Sequence, residues 1–392
     1  MAQLLRRSKT PGCPKMKHIS DYVSGRDNNF NLIRLLAAAT VVFAHSFIIA
    51  TGDRSAGPLI AATGHDLGYH AVNVFFSASG FLIAQSWLRT GSVPDFVAAR
   101  MLRLWPALAL CTFLLIFVIG PLLTSLPLTG YFSSPATYEF APRVMSLLRP
   151  DVALPGVASP VPGDVGIDAP LWTLKYEVLC YVTLMLLGVA GIFSSSNRFH
   201  GVVGPLMLAL LGASLLPIAH DVTHVWDHII RFGLCFGFGV IAQARARHIP
   251  LTLWISALGF GMSVVLRQTA FYEMALCFFT AYTTMWLAFV PGSFIRAYNR
   301  LGDYSYGVYI FAYPIQILLM HVMPKLAGLG LFLRTMPIVL GLSVASWILI
   351  ERPSLAHKKV LAERFRAITR GWTDRGWWVS RPKAGSPDPN EV

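Results

Sequence analysis

Charge is what this sequence has least of. Asp, Glu, Lys and Arg make up 13% of its 392 residues, about half the share of a soluble protein. That scarcity excludes an ordinary water-facing surface. Cysteine is sparse too. Cys111, Cys180, Cys235 and Cys277 lie in apolar runs and Cys13 lies near the N-terminus, so no disulfide framework is implied. Strict apolar–polar alternation over segments of about ten residues is missing, which excludes a membrane β-barrel. Residues 1–30 lack an apolar core, so no signal peptide is expected there. There is also no GxSxG elbow, Walker loop or HExxH pair.

Apolar residues are abundant, at 55%. They fall in blocks about 20 residues long, the length that crosses a bilayer core as a helix. The blocks are roughly 31–50, 70–88, 104–122, 171–192, 202–218, 226–242, 250–267, 272–290, 304–323 and 329–350. The expected fold class is therefore all-α, a polytopic integral membrane protein with about ten transmembrane helices. Placing both ends inside puts 23 of the 32 Lys and Arg on inner segments and 5 in outer loops. That bias orients both termini to the cytoplasm, in the inner membrane of the cell. The net charge of +13 then follows from topology and suits anionic lipid rather than nucleic acid.

Three parts follow: a cytoplasmic segment 1–30, one transmembrane domain over 31–353, and a basic cytoplasmic tail 354–392. The longest outer loop, 123–170, carries eight prolines from Pro127 to Pro170. They disfavour long helices and favour an extended, turn-rich cover. The tail begins as a basic helix, and Trp372, Trp377 and Trp378 suit a membrane interface. The final "SPDPNEV" has the composition of disorder.

Polar residues inside the apolar blocks are the candidates for chemistry. "NLIRLLAAATVVFAHSF" (31–47) carries Arg34 and His45. Eleven helical residues turn through about 1100°, so both share a face, about 16 Å apart along the axis. His45 should face a cavity or a partner; a neutral packing histidine is the competing reading, and snorkelling is the one for Arg34. In "NVFFSASGFLIAQSWL" (73–88), Ser77, Ser79 and Gly80 permit close helix approach. Arg100 and Arg103 lie three apart at an inner helix start. The pair suits phosphate anions, or simply anchors the helix. "APLWTLKYEVLCYV" (169–182) sets Trp172 and Glu177 near the outer end of a helix, and a carboxylate in such a helix is a functional candidate. Glu177 and Arg231 form a plausible buried pair. "LGDYSYGVYIFAYPIQ" (301–316) brings tyrosines, Tyr306 among them, that line a channel or anchor the interface. His220, His224 and His228 fit a solvated outer loop better than a metal site, and no metal centre is expected.

These segments, in this order, resemble the acyltransferase-3 family of bacterial membrane O-acyltransferases. Arg34 and His45 stand in its R-x10-H arrangement. "FFSASGFLI" (75–83) resembles FFxxSGFLI, and Arg100 and Arg103 form its RxxR pair. "LWTLKYEVLCY" (171–181) resembles LWTLxxExxFY, and "YSYGVYIFAYP" (304–314) resembles YSYGxYLxHxP. Ala312 stands where many members have histidine, and Cys180 where many have phenylalanine. A two-histidine mechanism is therefore not expected.

The resemblance implies transfer of an acyl group, often acetyl, from cytoplasmic acyl-CoA to a hydroxyl of an extracytoplasmic acceptor. Polysaccharides, peptidoglycan, Nod factors and some antibiotics are the family's acceptors. No bound cofactor is expected; the resemblance implies acyl-CoA, with acetyl-CoA foremost, as the donor substrate. Arg100 and Arg103 would hold the CoA phosphates, with Arg34 at the mouth, and His45 would be the general base. Glu177 would orient His45, bind the acceptor or pair structurally. Asn73, Ser79 and Tyr306 are oxyanion candidates, and Trp172 and Arg231 acceptor candidates. The expected partners are acyl-CoA, a free or lipid-linked glycan and membrane lipid. The competing functions are a secondary transporter, a flippase-like component of polysaccharide export, and an acyltransferase with a small-molecule acceptor.

Overall fold

A computed structural model describes residues 17–22, 28–147, 153–158, 161, 166–167, 169–216 and 225–373. His220, His224, Cys13, Trp377, Trp378 and "SPDPNEV" lie outside them. Among the described residues there is no strand, only an isolated bridge between His18 and Pro250.

Seven helices are long and apolar enough to cross a membrane. We label them in chain order with their neighbours. They are α1 (Phe30–Thr51), α2 (Leu67–Thr90) and α3 (Val93–Leu123), the loop helix α4 (Pro135–Met145), then α5 (Ala169–Val189) and α6 (Ser196–Ala213). There follow α7 (Val225–Ala244), α8 (Leu253–Val265), α9 (Tyr272–Phe289), α10 (Ser305–Val322), α11 (Gly328–Ala356) and α12 (Lys358–Thr373). The chain is thus a polytopic α-helical membrane protein. Helices occupy all ten expected blocks, but α6, α8 and α9 are not among the seven crossing helices. The 13 residues of α8 span only about 20 Å.

Small residues set the closest contact. A Cβ on Gly80 of α2 would meet the Phe236 carbonyl oxygen at 2.0 Å, and one on Gly239 of α7 would meet the Ser77 oxygen at 2.3 Å. The backbones of α2 and α7 therefore touch, the packing role expected of the SASG run. On the other side of α1, Gln316 of α10 donates to the Val42 oxygen at 2.8 Å and to Ser46 Oγ at 2.6 Å. Pro314 lacks the N–H that would reach the Ile310 carbonyl. The Cys111 thiol of α3 donates to that oxygen instead, at 3.3 Å.

Two π-helical turns, Leu115–Ile119 and Trp347–Glu351, reset the rotation of α3 and α11. The proline-rich loop is more structured than an extended cover. Leu128–Ser133 and Pro135–Met145 are helical, with Pro135 in the first turn, where a missing N–H costs nothing. Tyr131 is fully buried and donates to the Ile116 carbonyl at 3.0 Å. That bond serves a π-helical turn.

Candidate active site: two cavities and a neck

The bundle holds a cavity at each end. The basic end contains the starts of α1, α3 and α10 and the end of α11. Its cavity is about 770 Å³ and is bordered by Arg34, Arg89, Arg100, Arg103, Arg352 and Lys358. The loop-end cavity is about 530 Å³. It is bordered by His45, His65, Trp172, His228, Arg231 and Tyr313, and by Gly166 and Pro170 at the close of the proline-rich loop.

At the basic end, cations and carboxylates interlock. Arg34 and Arg103 share one oxygen of Asp303, at 2.5 and 2.6 Å. Arg103 also reaches Glu351 at 3.0 Å and lies over the rings of Tyr306 and Trp347. Glu351, at the end of a π-helical turn, takes a second bond from Ser346 at 3.0 Å. Burial alone would raise the Asp303 pKa. The Arg103 and Arg34 guanidinium groups and the Ser305 hydrogen bonds outweigh it and hold the carboxyl below its ordinary value. Lys358 is shifted down, by burial first and then by Arg100.

The RxxR pair therefore divides. Arg103 is neutralised by two carboxylates. Arg100 lies over Tyr181 and Phe96 and has no carboxylate within ion-pair distance among the described residues. Arg34 does not simply snorkel, because it is bound to Asp303.

At the loop end, the His45 ring meets Tyr313 edge-on at 5.4 Å between centroids. Arg231 lies between Tyr69 and Phe232, its guanidinium carbon 3.8 and 4.2 Å from their centroids. It donates to Asn73 at 2.9 Å and sits 3.7 Å from Asp227. Trp172 packs on His228 at 4.3 Å. His228 thus belongs to α7 and the cavity wall, not to a solvated loop.

A neck of about 40 Å³ lies between the two cavities. It shares Arg34, Ser79, Glu177 and Tyr306 with the basic cavity and Val72, Thr173 and Tyr309 with the loop-end cavity. Such a void has room for about a water or two. The hydroxyls of Tyr309 and Thr173 meet across it at 2.7 Å, and Tyr309 also donates to the Pro170 carbonyl at 2.9 Å.

Two expectations for Glu177 are corrected. It faces the neck and the basic cavity rather than the outer end of its helix, and its partner is the Tyr181 hydroxyl. The proposed Glu177–Arg231 pair does not form, because Arg231 is turned to Asp227 and Asn73. The oxyanion candidates also separate. Ser79 and Tyr306 border the neck, where the Tyr306 hydroxyl donates to the Leu104 carbonyl at 3.0 Å. Asn73 stands behind Arg231. Asp303, Glu351, His65, Glu273 and Tyr309 were not among the sequence candidates. The rule that flagged Glu177, a carboxylate in an apolar helix, applies equally to Glu273.

The acyltransferase domain family matches residues 27–352, most of the chain, including every residue that borders the loop-end cavity and all but Leu355 and Lys358 of those that border the basic one. The chain belongs to the acyltransferase-3 family. It is similar to the O-acetyl transferase of Shigella phage Sf6, with 27% identity over 85% of this chain and 97% of that protein. It is also similar to nodulation protein 10 of Rhizobium leguminosarum bv. viciae, with 25% identity over 88% of this chain and 98% of that protein. No solved structure matches.

Proposed function

We propose that this acyltransferase moves an acetyl group from acyl-CoA in the basic cavity to a hydroxyl of a glycan in the loop-end cavity. The observation that carries the reading is the neck, which shares wall residues with both cavities. The similarity to an O-acetyl transferase supports the acyl group. The Lys/Arg bias supports a cytoplasmic basic end and hence a donor that enters from the cytoplasm.

In this reading Arg100, Arg89 and Lys358 receive the CoA phosphates. Arg103 and Arg34, held by Asp303, shape the floor beneath them. The pantetheine arm passes into the neck once the Tyr309–Thr173 contact opens. The thioester carbonyl then lies between the basic cavity and His45. His45 takes the proton of the acceptor hydroxyl as its oxygen attacks that carbonyl. The C–S bond breaks, and the CoA sulfur leaves and takes up a proton. The new ester remains on the acceptor. Ser79 and Tyr306 border the place where the carbonyl oxygen gains charge, the position that hydrogen-bond donors stabilise most.

The test is release of free CoA by purified protein given acetyl-CoA and surface glycan from the producing cell. Release is expected to need both the glycan and His45. CoA release that ignores the glycan, or that survives intact in His45→Ala, would overturn the reading.

A further inference from the structure

The loop-end cavity contains a second polar cluster that the reaction above does not use. Glu273, near the start of α9, accepts from two groups at once. His65 Nε2 lies 2.6 Å from one carboxylate oxygen, and the Tyr69 hydroxyl donates to the other at 2.5 Å. His65 and Glu273 are both largely buried, with side chains 14% and 11% exposed. The His65 ring lies parallel to Tyr69, 3.8 Å between centroids, and parallel to Tyr272 at 6.0 Å. Asp66, the next residue, caps α2 by accepting from the Tyr69 N–H at 2.7 Å. The ring is therefore fixed from its backbone, its face and one nitrogen.

That leaves one polar atom. With Nε2 turned to the carboxylate, the other ring nitrogen, Nδ1, is left for a hydrogen bond, which it accepts as neutral imidazole and donates as imidazolium. No hydrogen bond reaches Nδ1 among the described residues, and it is not among the enclosed unpartnered atoms. His65 borders the same cavity as His45. A tether between α2 and α9 would not need such a group, since an apolar pair of similar volume would stabilise the bundle as well as a buried ion pair. A carboxylate buried in a membrane-protein bundle is more often spent on function.

We infer that His65, positioned by Glu273 and Tyr69, is an acceptor-binding residue. Its Nδ1 shares a hydrogen bond with a second hydroxyl of a polyhydroxyl acceptor while His45 serves the hydroxyl that is acylated. Two anchoring points on one sugar would select which hydroxyl meets the thioester. Glu273 is a positioning residue acting through His65. This inference rests on the acetyl-to-glycan reading and names an acceptor subsite within it.

The substitution His65→Gln separates this role from a structural one. A glutamine amide can replace Nε2 and keep the bond to Glu273, but it has nothing at the Nδ1 position. The full-length variants are compared in the producing cell by the acetyl mass on its surface glycan, at matched amounts in the membrane. The purified proteins are compared by their dissociation constants for acetyl-CoA. His65→Gln and His65→Ala are each expected to lower glycan acetylation about tenfold or more, the scale of one lost hydrogen bond to an oriented polar group. Glu273→Gln is expected to lower it less, because the amide still meets His65 and Tyr69. All three should bind acetyl-CoA within about twofold of the parent, since the donor cavity is untouched. Near-parental acetylation by His65→Gln would mean that His65 is a tether, and would overturn the inference. So would a matching loss of acetyl-CoA binding in all three variants. If parental cells carry no acetyl on the glycan at all, the acetyl-to-glycan reading fails first and this inference with it.

Discussion

The two cavities share the helices α1, α2, α5 and α10 and differ in charge. At the basic end, Arg34, Arg103, Asp303 and Glu351 lock into a network, and Arg89, Arg100, Arg352 and Lys358 leave an excess of positive charge. At the loop end the Arg231 guanidinium lies between two rings, Arg54 and Asp66 also border the cavity, and histidines and tyrosines line the wall. A charged wall suits a polyanion. Imidazoles and aromatic rings suit a neutral polyol, whose hydroxyls each need a directed partner. The contrast also shows that positive residues of one motif need not act alike: three positions apart, Arg103 is part of the frame and Arg100 is open to the cavity.

The sharpest way to break the comparison is at the loop end. A general base contributes about 10²–10⁴-fold to rate. His45→Ala should lose that much CoA release while acetyl-CoA binding stays unchanged. Turnover within about threefold of the parent, well below that range, would make His45 a packing residue and deprive the loop-end cavity of its chemistry.

The next effect lies at the basic end and is one of stability. Asp303→Asn leaves two buried guanidinium groups without their shared partner, and breaking such a pair costs about 3–5 kcal/mol. Thermal unfolding of the purified variant should shift strongly downward. The added change Arg34→Gln should recover part of the loss, because one stranded charge is removed. The parent should show a matching pH effect. The folded pKa of Asp303 lies below its ordinary value of about 3.9. Its stabilisation is therefore fully present above about pH 4 and is lost as pH falls through the lower folded value. Unfolding temperatures in Asp303→Asn that equal the parent at neutral pH would remove the network from the account.

A smaller effect separates the two arginines. Arg100→Gln should raise the Michaelis constant for acetyl-CoA about tenfold, the worth of one charge-assisted bond, with little change in unfolding temperature. Arg103→Gln should mainly lower stability. If both variants change both quantities alike, the division between frame and ligand residue is wrong. Tyr309→Phe should have the least effect. It removes one hydroxyl from the neck, worth about 1 kcal/mol, and should change CoA release by no more than about fivefold, with stability near that of the parent.

His228 now has a different expectation from its histidine-rich neighbours. Read as loop, it would be dispensable. Packed on Trp172 at 4.3 Å in the cavity wall, it lies on the acceptor side of the proposed reaction. His228→Ala should therefore weaken transfer without weakening donor binding.

Much of this was legible from local pattern. Apolar blocks of about 20 residues determine membrane helices because bilayer thickness and the rise per residue are constants. Arg34 and His45 share a face because helical rotation is constant too, and the structure does direct both inward, each to its own cavity. The ordered motifs determined the family. What acts across the bundle was not legible. Asp303 meets Arg34 over 269 positions and Arg103 over 200; Glu273 meets His65 over 208. Glu177 and Arg231 looked complementary but face different cavities. Such pairs depend on how far each helix is rotated and how deep it sits against its neighbours. That is decided by the Gly80–Gly239 contact, the π-helical turn that directs Glu351 inward, and the rotation of α5 and α7. None of these has a period that a single stretch of sequence can show, because each is a property of two surfaces meeting.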